Sequence, residues 1–157
     1  MPALPQLVPD PADPRTGPLA EAPIRVVLAD EHALMRRSLR SLIDGEDDVE
    51  VVAEAHDLST VVRHVHGYAP DVLVIDLSMS NGSSIEVVRR LRDDVPSTEI
   101  VVLTMEESRV FAQEAFAAGA IGFVLKQTAD AELAQAIRDA THGASYMSPR
   151  VAAQLAG

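Results

Sequence analysis

Cysteine is absent from this 157-residue chain, which excludes disulfides, thiolate metal sites and cysteine nucleophiles. Positive charge is scarce: 13 Lys and Arg stand against 24 Asp and Glu, a formal net charge of −11. Such a chain is on average repelled by phosphate backbones, so free-standing nucleic-acid binding is excluded too. Lysine is nearly missing, for twelve of the cations are Arg and Lys126 is the single Lys. No apolar run approaches the roughly 18–20 residues that span a bilayer. The N-terminus also lacks the basic start and apolar core of a signal peptide. The expectation is a cytoplasmic protein with no membrane attachment.

What is present is ordinary globular composition, 47% hydrophobic and 24% charged, over a length that suits one domain and perhaps a tail. Residues 1–22 hold six of the ten prolines and read as an extended leader, since proline disrupts both helix and sheet ladder. From Ile24 onward, short β-branched runs alternate with stretches of helical spacing. The runs are 24–29, 49–53, 72–75, 100–103 and 121–125, and three are nearly continuous in apolar residues, as strands buried on both faces are. Between and after them, Leu39 with Ile43, Val61 with Val65, Val88 with Leu91, Ala115 with Ala118 and Leu133 with Ile137 recur at helical intervals. Five strands alternating with five helices predict an α/β domain, a doubly wound five-stranded parallel sheet with right-handed crossovers.

In such folds ligands collect beyond the carboxyl ends of the strands. There the chain places Asp30-Glu31, then Asp76, Thr104 and Lys126. For Asp30 or Asp76 alone a solvated loop acid is the simpler reading; four strand ends converging on one pocket reverse it. Clustered carboxylates repel one another and raise their own pKa values unless a cation is present. An oxygen-rich set of this kind suits Mg²⁺. Phosphate chemistry follows naturally, with a carboxylate as nucleophile and a metal and a lysine neutralising the phosphoryl oxygens. Other phosphate solutions are missing, for no glycine-rich loop ends in Gly-Lys-Ser or Gly-Lys-Thr and no GxGxxG follows the first strand. An aspartate-based phosphohydrolase wants a second acid two residues after its nucleophile, where this chain has Ser78.

The residues Asp30-Glu31, Val74-Ile75-Asp76-Leu77-Ser78-Met79, Leu103-Thr104 and Gly122-Phe123-Val124-Leu125-Lys126 together resemble the receiver domain of two-component response regulators. The resemblance runs from about Ile24 to about His142. Asp30-Glu31-His32, the 49–55 strand and Ser148-Pro149-Arg150-Val151 are similar to the NarL/FixJ class, in which a LuxR-type helix-turn-helix domain follows the receiver. The resemblance implies a flavodoxin-like (βα)5 receiver at 23–143, with 144–157 starting the linker to a C-terminal domain not in this chain. It implies Asp76 as phosphoacceptor for a histidine kinase, and Mg²⁺ held by Asp30, Glu31, Asp76 and the Ser78 backbone carbonyl. Lys126 would pair with the phosphoryl group, Thr104 would move toward it, and Phe123 would be the switch aromatic. Such a protein is a switch and not a turnover enzyme. It forms a homodimer and reaches DNA only through the missing domain. The alternative is an atypical receiver, never phosphorylated, acting as a constitutive or ligand-controlled dimerisation module.

Two further expectations can be checked. Where the family usually has Pro followed by an Asp-Gly turn, this chain has Ser80-Asn81-Gly82-Ser83-Ser84, which predicts a looser loop. Arg36, Arg37 and Arg40 read as a solvated basic edge on the first helix, and His32 as a class feature and not a ligand.

Overall fold

A computed structural model describes residues 22–156; the leader read at 1–22 thus lies outside the described residues apart from Ala22. The order is β1 (Ile24–Ala29), α1 (Ala33–Asp44), β2 (Val49–Ala55), α2 (Leu58–Tyr68), β3 (Val72–Asp76), α3 (Ser84–Asp94), β4 (Glu99–Thr104), α4 (Arg109–Ala118), β5 (Gly122–Leu125), α5 (Ala129–Thr141), β6 (Tyr146–Met147) and α6 (Pro149–Ala156). All neighbouring strands are parallel, in the order β2-β1-β3-β4-β5-β6. The architecture is the expected α/β receiver-like sheet, with one correction: it has six strands, not five. Two residues are too few to show a period-2 pattern, so β6 left no signal in the sequence.

The apolar runs become strands because helices cover both faces of the sheet. Leu39 and Ile43 of α1 and Leu133 and Ile137 of α5 pack on Val26, Leu28, Val74 and Val124. Val61, Val88, Leu91 and Ala115 of α2–α4 pack on Leu73, Ile75, Val102 and Phe123 across the opposite face. Side-chain caps start three of the helices: Asp57, Ser83 and Ser108 accept from the backbone N–H groups of Thr60, Glu86 and Phe111, satisfying donors that a helix start leaves orphaned. Gly119 ends α4 at φ +116°, where an added Cβ would meet the Arg92 side chain at 2.5 Å.

β6 and α6 are fastened by polar atoms in the interior. The Ser148 N–H donates to the Phe123 carbonyl at 2.9 Å. The Ser148 hydroxyl accepts from the Leu125 N–H at 2.9 Å and donates to Glu132 at 2.5 Å. Val151 is fully buried in the core that contains Phe123. Beside this anchor the Tyr146 phenol is pushed up to about 12, first by burial and then by the Glu132 carboxylate. An unfolded tyrosine ionises near ~10, so the neutral form is favoured in the folded state. Docking of 146–156 should therefore hold below pH ~10 and weaken as pH rises toward the folded value. Tyrosinate absorbance followed alongside amide exchange of Ser148 checks this: loosening that begins below pH 9 would point to another group.

Candidate functional site at the carboxyl ends of the strands

Chain direction decides where the pocket forms. β1 leads to β2 on one side, while β3 to β5 build outward on the other, so the reversal of strand order falls between β1 and β3, where such sheets open a crevice. The register pairs Ala29 with Ile75, and the next residues, Asp30 and Asp76, emerge side by side. Thr104 pairs with Leu125, which sets Lys126 one residue past the end of β5.

Both aspartates are fully buried. The Lys126 ammonium lies 2.7 Å from Asp30 Oδ2 and 3.2 Å from Asp76 Oδ2, and its side chain is only 5% exposed. Those two Oδ2 atoms make no hydrogen bond of good geometry; the close ammonium is a charge contact. The other oxygens are engaged: Asp30 Oδ1 accepts from the His32 N–H at 2.9 Å. Asp76 Oδ1 accepts from the Ser78 N–H and hydroxyl, each at 3.0 Å. One buried cation thus faces two buried anions, each of which costs several kcal/mol to desolvate. A hard divalent ion with carboxylate ligands fits that excess of negative charge.

Two residues that the sequence reading did not assign to the site hold its backbone. The Ser84 hydroxyl donates to the Asp76 carbonyl at 2.9 Å and Arg36 Nη1 to the Asp30 carbonyl at 2.7 Å. Arg37 is exposed as expected, while Arg36, with its side chain 19% exposed, and the half-exposed Arg40 turn onto Glu54 of β2, at 3.1 and 2.6 Å. Their helical spacing from Ala33 was legible; the acid one strand away that receives them was not.

The other expected site residues stand nearby with different partners. Glu31 turns to the loop after β3, where its carboxylate accepts from the Ser80 hydroxyl at 2.6 Å and the Ser80 N–H at 3.2 Å. Those two donors, the hydroxyl foremost, hold the Glu31 carboxyl below its ordinary value. The 80–84 segment is accordingly tied at several points and not loose: Ser80 holds Glu31, Asn81 accepts from the Leu58 N–H at 3.4 Å, Ser83 caps α3 and Ser84 reaches Asp76. The Thr104 side chain is buried and its hydroxyl oxygen accepts from the Glu106 N–H at 3.1 Å. Thr104, Ser78, Glu106 and Phe111 border a small cavity of about 150 Å³. Phe123 is fully buried, its ring part of the core. His32 stands with the aspartates: among the described residues, Asp30, His32 and Asp76 form the one group of three whose ligand atoms all lie within 4.8 Å of one another.

The profile of the family described as "Response regulator receiver domain" matches residues 26–138. The chain belongs to the response regulator receiver family. Its relatives place the receiver in the NarL/LuxR class. The oxygen regulatory protein NreC of Staphylococcus carnosus is 32% identical over 84% of this chain and 61% of its own length. The receiver thus spans about three fifths of that curated relative. A LuxR-family two-component response regulator from Aurantimonas sp. SI85-9A1 superposes with a TM-score of 0.82 at 36% identity, over 86% of this chain and 96% of that one. The isolated receiver domain of RcsB from Salmonella enterica serovar Typhimurium, solved in the presence of the phosphomimetic BeF3−, superposes with a TM-score of 0.76 at 26% identity, over 83% and 96% of the two chains. No helix among the described residues is long and apolar enough to cross a membrane.

Proposed function

We propose that this receiver is a phosphorylation-controlled switch in which Asp76 takes a phosphoryl group from a histidine kinase. The observation that carries the reading is the buried Asp30–Lys126–Asp76 group at the β1/β3 crevice, two carboxylates sharing one ammonium. In the transfer, an Asp76 carboxylate oxygen forms a new P–O bond while the kinase's P–N bond breaks. The leaving imidazole keeps the electron pair and takes up a proton, and Asp76 becomes an acyl phosphate. Ser78 holds Oδ1 and Ser84 holds the backbone, so the carboxylate is oriented before reaction. Lys126 is placed to move its charge from the carboxylates to phosphoryl oxygens. Mg²⁺, when bound by Asp30 and Asp76 with help from Glu31 and the Ser78 carbonyl, supplies charge neutralisation for the transferred group. To follow the phosphoryl group, Thr104 must give up the Glu106 N–H, and Phe123 has room to respond only if its core neighbours move. These are local events that bias a two-state surface.

On this reading the chain signals and does not turn over a substrate, works in the cytoplasm, and acts as a homodimer. DNA contact belongs to a LuxR-type output domain joined through the 144–157 segment. The receiver exposes Met105 just after β4 and Val110 and Phe111 at the start of α4, beside the cavity next to Thr104, where a dimer surface would be sensitive to the site. Beryllofluoride with Mg²⁺ should convert monomer to dimer in light scattering, and Asp76→Asn should abolish the shift. A protein that is dimeric without beryllofluoride and unchanged by it would favour the constitutive, unphosphorylated module instead.

A further inference from the structure

We infer that β6 and α6 form a latch, docked on the receiver while Asp76 is unmodified and released when it is phosphorylated. This rests on the proposed phospho-switch and names the segment that the switch moves. Residues 146–156 are fastened at β5, at α5 and at the β4–α4 loop. The Ser148 N–H donates to the Phe123 carbonyl, and its hydroxyl accepts from the N–H of Leu125, the residue before Lys126. The same hydroxyl donates to Glu132 of α5. Arg150 of α6 reaches Glu107, in the loop after β4, at 3.1 Å. Val151 is fully buried in the core cluster that holds Phe123, Ala112 and Ala115.

Two of these fastenings lie where the switch acts. The Glu106 N–H is held by the Thr104 hydroxyl, so a Thr104 that turns to a phosphoryl group frees the loop, and Glu107 is the next residue. Phe123 gains room only if its cluster loosens, and Val151 is the member of that cluster on the least anchored element. β6 is an edge strand that pairs with β5 over two residues only, and segments with few buried contacts open at the lowest free energy. The Arg150–Glu107 pair, 61% and 33% exposed, adds little holding strength of its own but ties α6 to the position of the loop. Coupling between sites is reciprocal, so a change that loosens α6 must favour the phosphorylated form.

Amide exchange of the full chain, with and without beryllofluoride and Mg²⁺, tests this at Ser148, Val151 and Ala152, whose N–H groups donate to the Phe123 and Ser148 carbonyls in the docked state. Their exchange should quicken at least about fivefold in the beryllofluoride form, the lower end of ordinary coupling between sites, while the amides of β1 and β3 keep their protection. Val151→Ala should bind beryllofluoride about tenfold more tightly than the wild type, within the same range. Arg150→Ala, which alters only an exposed side chain, should shift the affinity in the same direction by about twofold, as a weak surface pair allows. Beryllofluoride uptake with unchanged or slower exchange at 148–152 would overturn the latch and leave the switch standing, as would variants that bind it no more tightly than the wild type. No beryllofluoride uptake by the wild type would overturn both.

Discussion

Asp76→Asn should abolish phosphoryl uptake altogether, and in metal-free buffer it should leave the protein as stable as the wild type or raise stability by about 1–2 kcal/mol. The first half follows because an amide cannot form the acyl phosphate. The second follows from charge. Asp76 and Asp30 are both fully buried and draw on one ammonium. What Asp76 gains from Lys126 at 3.2 Å is opposed by repulsion from Asp30 and by its own desolvation, several kcal/mol for a buried ion. Removing the charge removes all three. Asparagine keeps an oxygen for the Ser78 donors. If Asp76 were simply half of a structural ion pair, its loss would instead cost about 3–5 kcal/mol. Chemical denaturation of the two proteins, with phosphoryl uptake measured on the same samples, separates the cases.

Lys126→Met should have the largest effect on the fold of any single change at the site, a loss of about 3–5 kcal/mol in metal-free buffer. That corresponds to a melting shift on the order of 10 °C. Methionine preserves length and apolar stem, but it leaves two buried carboxylates with no counter-charge. Two rescues follow. A saturating divalent cation should recover much of the loss, by about 2.7 kcal/mol at a hundredfold excess over its dissociation constant. Adding Asp76→Asn to Lys126→Met should also recover most of it, because the repelling pair is gone. Additive losses in the double variant would mean that the ammonium packs rather than neutralises. Phosphoryl uptake by Lys126→Met should slow by about a hundredfold or more, the usual cost of losing one aimed charge.

The sheet was readable because its strands are buried on both faces, which forces runs such as Val72–Ile75 to be apolar without interruption. The pocket was readable because strand ends in a parallel sheet share one edge, so Asp30, Asp76, Thr104 and Lys126 align once their strands are ordered. What escaped depends on side-chain direction or on very short elements. β6 is two residues, and its anchor is Ser148 bonded to a glutamate sixteen positions earlier. Nothing local marks Glu132 as buried, since it sits in an amphipathic helix two residues after the exposed Asp130. Arg36 looked like surface charge because Glu54, its partner, arrives from another strand. Glu31 turns toward Ser80, forty-nine positions away, and nothing local announces that partner.

Intact mass with peptide mapping tests directly whether Asp76 is the phosphoacceptor. Incubated with acetyl phosphate and Mg²⁺, the wild type should gain the mass of one phosphoryl group. The adduct should be lost to hydroxylamine, as an acyl phosphate is, and should map to the peptide containing Asp76, with none gained by Asp76→Asn. An adduct that persists in Asp76→Asn, or no adduct in the wild type with either Mg²⁺ or Mn²⁺, would contradict the account.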